Sequence, residues 1–179
     1  MRILAIDLAQ KNSAACLLGG DSPSRYWHTR RPTKAPEYEF FVDWLEDLAS
    51  SLLPPDFVVV EDVPHNQPFH APVRAAVFRQ GLIALWCKDS GLPFGLVQPA
   101  VWQAHFGLRR KRGVSSAAHK RSLVEAAYNR GWCGPPSSYE VLPAADRRKV
   151  KSDMADAYLI ALWAAEADLK EYEVVPDGW

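Results

Sequence analysis

Apolar residues fall along this chain in short runs and then in helical stripes. Ile3–Ile6 is an unbroken apolar run that closes on Asp7, the pattern of a short buried strand. A second strand is expected over Ser13–Leu18, before the Gly19-Gly20-Asp21 turn, and a weaker third over Arg25–His28. Together they predict an antiparallel meander. Pro36 then stands at a helix start, and Phe40, Phe41, Trp44, Leu45, Leu48 and Leu52 recur at helical spacing up to Pro54-Pro55. Phe57–Val60 is a β-branched strand running into Glu61. After a loop rich in His, Pro and Asn, the stripe Val73, Val77, Phe78, Leu82 and Leu85 predicts a second helix ending at Gly91.

Phe94–Val97 reads as a further strand, Pro99–Phe106 as a short helix and Ala117–Asn129 as an amphipathic one. Residues 131–143 are punctuated by Gly, Pro and Ser and form a long connection. The last helix is expected to begin with Ser152 as its N-cap and to be apolar nearly all round from Ala155 to Ala165. Three strands, then helix, strand, helix and strand, with helices to close, predict an α/β fold: a mixed five-stranded sheet with helices on both faces. A single domain is expected over 1–170, followed by a C-terminal tail at 171–179. No internal repeat is visible.

Composition narrows the class. With 48% hydrophobic and 23% charged residues in 179 positions, the chain can bury a core and is not a disordered segment. No apolar run reaches the ~18 residues of a membrane span, and MRILAID is too short an apolar opening for a secretory signal, so a cytoplasmic protein is expected. Cys16, Cys87 and Cys133 lack any CxxC spacing, which points away from a zinc site or a disulfide framework. His65 and His70 read as surface histidines of the loop.

A formal charge of zero hides segregation. Residues 35–64 hold eight acids and no Lys or Arg, whereas Arg109, Arg110, Lys111, Arg112, Lys120 and Arg121 fall in a stretch free of acids. Arg147, Arg148, Lys149 and Lys151 follow. Such clusters are either solvated faces or a phosphate-binding surface.

Four acids stand where acids are costly. Asp7 ends one apolar strand and Glu61 another, and Asp153 and Asp156 head an apolar helix. At i and i+3 the last two share a helix face. A helix start alone would favour them through the macrodipole. Gathered in one place, however, like charges cannot all stay ionised, and divalent cations would neutralise them. Mg²⁺ prefers oxygen ligands, and a pair of ions serves in-line displacement at phosphorus. Alternation along the strand sends Glu61 and Asp62 to opposite faces, and periodicity does not choose between them.

The segments ILAID (3–7), VVVED (58–62), QGLIALWCKDSGLPFGLVQPAVWQ (80–103) and SDMADAYLIALWAA (152–165) resemble the RuvC-like Holliday-junction resolvases of the ribonuclease H-like superfamily, as does AHKRSLVEAA (118–127). The likeness spans nearly the whole chain in the family's order. It implies a ribonuclease H-like fold and makes Asp7, Glu61, Asp153 and Asp156 the metal ligands, so choosing Glu61 over Asp62. It implies two Mg²⁺ or Mn²⁺ ions per site, hydrolysis leaving 5′-phosphate ends, and a homodimer acting on four-way DNA junctions in recombination, repair or phage DNA processing. Lys120 falls where the family has a basic residue near the scissile phosphate, and Lys111 in a loop where another sits. Arg109, Arg110, Arg112, Arg121, Arg148, Lys149 and Lys151 complete the expected DNA contacts.

Two positions depart from the family. Leu8 replaces its Gly after the strand-end Asp, and around Pro64 its aromatic after the catalytic Glu is missing, a place that Phe69 could fill. The same acids would serve a broader structure-selective nuclease acting on flaps, forks or RNA–DNA hybrids, whereas they argue against the other alternative, a non-catalytic junction-binding protein.

Overall fold

The computed structural model describes residues 1–8, 12–19, 24–30, 37–51, 54–62 and 71–172. Strands β1 (Ile3–Leu8), β2 (Asn12–Leu18) and β3 (Arg25–Arg30) form the expected antiparallel meander. Helix α1 (Glu37–Ser51) leads to β4 (Phe57–Glu61), α2 (Ala71–Asp89) and β5 (Phe94–Val97). β4 lies parallel to β1, and β5 parallel to β4, giving the order β3-β2-β1-β4-β5. Then come α3 (Pro99–His105), α4 (Ser116–Asn129) and α5 (Ala144–Glu166). The Gly- and Pro-rich connection before α5 holds a 3-10 turn at Ser137–Tyr139. This is the expected mixed five-stranded sheet.

Side-chain alternation divides the sheet into two apolar layers. Leu4, Ile6, Ala15, Leu17, Val58 and Val60 face α1 and α2, where Phe41, Trp44, Leu48, Ile83 and Cys87 cover them. Ile3, Ala5, Ala14, Cys16, Phe57 and Val59 face α5, under Met154, Ala155, Ala157, Tyr158, Ala161 and Ala164. Small residues on this part of α5 let the helix lie close to the strands. Cys16 and Cys87 are buried free thiols within these layers, and Cys133 is exposed and free.

One boundary differs from expectation. Ser152 does not cap the last helix: α5 starts at Ala144 behind Pro143, which holds an extended ψ of 146° and gives no side-chain cap. Ser152 is a buried residue within the helix, and the basic run 147–151 is helical. Ala, Arg and Lys are strong helix formers, and they carry the helix two turns back from the apolar segment.

At the far end a 3-10 turn at Leu169–Glu171 returns to the sheet, with Tyr172 edge-on to Trp163 at 4.9 Å. Residues 173–179 of the expected tail lie outside the described residues. Among the described residues no helix is long and apolar enough to cross a membrane. The returning turn depends on Gly95 of β5, where an added Cβ would stand 2.5 Å from the Tyr172 carbonyl oxygen and 3.2 Å from Phe57. Gly95→Ala is expected to destabilise the protein by about 1–3 kcal/mol through overpacking. Urea unfolding measures this, and an unchanged midpoint would refute the close approach.

Candidate active site

The candidate site is built on one rung of the sheet. Ile6 pairs with Val60, so the next step along both strands brings Asp7 beside Glu61. Asp7 pairs with Ala14, and Ala14 with His28. Glu61, Asp7, Ala14 and His28 therefore cross four strands in line, on the face that α5 covers. Ala14 leaves room above the rung, and α5 crosses it with Asp153 and Asp156 one turn apart. Both acids are far from the helix start. The first-turn macrodipole that would have accounted for them in structural terms does not act there, since it fades within the first turn.

Two of these acids are buried, and Glu61 and Asp156 are partly exposed. Asp7 is 6% and Asp153 2% exposed. Burial, followed by the charges of Glu61 and Asp153, holds the Asp7 carboxyl well above its ordinary range. Glu61 is pushed up to about 7, by burial first and then by the Asp156 charge. The Asp7 and Glu61 side chains are hydrogen-bonded to each other. The Asp156 carboxyl is likewise raised by burial and then by the Asp7 charge. Lys120 on α4 opposes these shifts at Asp7, Glu61 and Asp156. The structure thus brings all four predicted acids and Lys120 into one electrostatic neighbourhood.

Neutral donors complete it. Trp102 of α3, 1% exposed, donates its indole Nε1–H to Glu61 Oε1 at 3.0 Å. Asn12 Nδ2 donates to Asp153 Oδ2 at 3.2 Å, and His28 Nε2 lies 3.2 Å from the same oxygen. Asp62 faces the other layer, where Gln80 Nε2 reaches its Oδ1 at 3.3 Å and the Glu61 carbonyl oxygen at 3.1 Å. Asn12, His28 and Trp102 did not stand out in the sequence as site residues. Their one signal is parity: Asn12 and His28 share the strand face of Ala14, which is visible only once the register is known.

The donor set suits a hard divalent cation, being four carboxylates with a basic residue alongside. Asp156 Oδ1 is buried and has no hydrogen-bond partner among the described residues, an orphaned acceptor that a cation would satisfy. Among the described residues no three His, Cys, Asp or Glu side chains are gathered closely enough to enclose an ion as they stand. The fit therefore rests on donor chemistry and burial.

The two basic stretches meet beside this site. Between α4 and α5 runs a groove of about 880 Å³ whose floor is largely apolar, with Val124 and Tyr128, and whose lining carries Lys120, Arg121, Arg148, Lys149 and Lys151 beside a single acid, Glu125. Lys151 Nζ sits 4.6 Å over the Tyr128 ring, which also lines the groove. Arg109, Arg110, Lys111 and Arg112 are exposed on the loop between α3 and α4, outside the groove lining. The Arg109 and Arg110 guanidinium groups brace that loop, donating to Ala100 O at 3.1 Å and Val114 O at 2.8 Å. Phe69, His65 and His70 lie outside the described residues.

The architecture is that of known resolvases. RuvC of Thermus thermophilus in complex with Holliday junction substrate superposes with a TM-score of 0.64 at 15% identity, over 97% of this chain and 100% of that one. A second Thermus thermophilus RuvC structure gives 0.59 at 16%, over 97% and 98%. A Fowlpox virus resolvase complexed with substrate Holliday junction DNA gives 0.56 at 16%, over 93% and 97%. This chain therefore has the ribonuclease H-like fold of the RuvC-like resolvases. No protein-family model matches it, and no curated protein matches it either.

The raised carboxyls make stability depend on pH. The folded protein keeps a proton on Glu61 up to about pH 7, which the unfolded chain releases near 4.5. The contribution is full below 4.5 and is lost as pH rises through about 7, so stability in EDTA falls across that window. Glu61→Gln has no proton to release and is expected to flatten the slope, leaving the part carried by Asp7 and Asp156. Urea unfolding at a series of pH values tests this, and identical slopes for the two proteins would contradict it.

Proposed function

We propose that this chain is a divalent-metal-dependent endonuclease that resolves Holliday junctions and works as a homodimer in the cytoplasm. The observation that carries this reading is the rung of acids: carboxylates from two strands and one helix act on one another electrostatically, and a groove with five basic residues opens beside them. The likeness in fold to resolvases solved with junction DNA supports the substrate.

In this reading Asp7, Glu61, Asp153 and Asp156 hold Mg²⁺ or Mn²⁺, two ions per site. Metal held by these carboxylates would supply an activated water and stabilisation of a departing 3′-oxygen, the chemistry of a hydrolysis that leaves a 5′-phosphate. Trp102 fixes the orientation of Glu61 through its indole hydrogen bond. Lys120 offsets the negative charge that builds on the phosphate oxygens. Arg121, Arg148, Lys149 and Lys151 hold one DNA backbone along the α4–α5 groove, and Arg109, Arg110, Lys111 and Arg112 a neighbouring one. Phosphate contacts of this kind position the duplex without reading its sequence. Phe69 is proposed to probe the junction core. An apolar stripe on α2 supports the dimer: Val77, Phe78 and Leu85 are exposed there around Gly81, where an added Cβ meets nothing.

Labelled four-way junctions, flaps, forks and RNA–DNA hybrids, incubated with Mg²⁺ or Mn²⁺, test the activity. Paired symmetric nicks across the junction, with 5′-phosphate ends, are expected. Asp7→Asn is expected to abolish them while junction binding persists. Preferential cutting of flaps or hybrids would replace the resolvase with a broader nuclease, and junction binding without cleavage in either metal would leave a binding protein.

Arg148→Ala or Lys149→Ala is expected to weaken junction binding alike on different sequences. Each lost phosphate contact should reduce the slope of log affinity against log salt by about 0.9. Fluorescence anisotropy over a salt series measures this, and an unchanged slope would remove the residue from the DNA path.

A further inference from the structure

Asp153 differs from the other three carboxylates in how it is held. Its hydrogen bonds from the described residues both fall on Oδ2, from Asn12 Nδ2 and from His28 Nε2, each at 3.2 Å. The donors come from adjacent strands and are themselves buried, Asn12 at 4% and the His28 side chain at 3%. A carboxylate oxygen accepts, so the His28 ring donates to it from Nε2–H. Its ring is backed edge-on by Tyr139 at a centroid distance of 6.3 Å, from the 3-10 turn before α5. The ring is therefore held from behind by Tyr139, while its Nε2–H grips the acid.

We infer that His28 and Asn12 are positioning residues that fasten Asp153 by Oδ2, so that it offers a metal ion only Oδ1. This rests on the metal-dependent reading above and adds a selectivity to it. A carboxylate confined to one oxygen suits the near-octahedral demand of Mg²⁺ and Mn²⁺. It disfavours Ca²⁺, whose larger, flexible shell of 6–8 oxygens often includes a bidentate carboxylate. Partners behind a ligand commonly set metal affinity, and losing one costs about 10–100-fold.

The test is calorimetric titration of the intact protein with Mn²⁺ alone and with Ca²⁺ alone, without DNA. His28→Phe keeps the ring's bulk and loses the donor, whereas His28→Gln keeps an N–H. His28→Phe is expected to bind Mn²⁺ about 10–100-fold more weakly and to lose part of the preference for Mn²⁺ over Ca²⁺. His28→Gln is expected to restore both in large part. Asn12→Leu should shift the same ratio, and it carries the test if His28→Phe does not fold. Metal-free junction affinity is expected to stay at the wild-type value in each folded variant. Folded donor-less variants with the wild-type ratio of Mn²⁺ to Ca²⁺ affinity would overturn the inference, as would a His28→Gln as weak as His28→Phe. A wild-type protein that takes up no Mn²⁺ would instead overturn the metal-dependent reading, and the inference with it.

Discussion

Like charges confined beneath a buried helix are the constraint around which this molecule is arranged. Asp7 and Glu61 are adjacent because their strands are paired in parallel register, and α5 lowers two more acids onto them. Nothing in an apolar layer favours that arrangement. The protein accommodates it with carboxyls held above their ordinary range at Asp7 and Glu61, an indole donor on Glu61, two donors on Asp153 and an ammonium group nearby. Buried carboxylates kept at such a cost in the free protein mark a site that something else is meant to satisfy.

Much of this was legible in the sequence, for identifiable reasons. The short β-branched run at Phe57–Val60 lies in the sheet interior and the run at Phe94–Val97 forms the edge strand beside it, and in both local pattern and tertiary environment agree. Glu61 and Asp62 were inseparable by alternation alone, and only the register with β1 puts Glu61 on the α5 face. Ser152 misled because its residue type and the apolar stretch after it imitate a helix start. The true start lies eight residues earlier, at Ala144 rather than Ser152, in a polar segment whose helicity comes from propensity. His28 and Trp102 were silent because their partners are 125 and 41 residues away. No local pattern carries contacts of that separation.

The two layers of the sheet hold different kinds of polar residue. Toward α1 and α2, Asp62 meets the Gln80 side chain, which also ties the Glu61 carbonyl. The end of β4 is thus pinned from behind while its carboxylate faces the other way. A strand end gripped on one side is a rigid base for a ligand on the other, and rigid supports are what exact placement of a reacting group requires.

The continuity of α5 makes the helix a ruler. Arg148 at the groove and Asp156 at the rung belong to one unbroken rod. At 1.5 Å per residue they are separated by about 12 Å along its axis, roughly three to four nucleotide steps of a duplex strand. With no joint between the basic turns and the acids, a DNA backbone seated against the former would, on the proposed function, meet the latter at a set offset fixed by the helix itself.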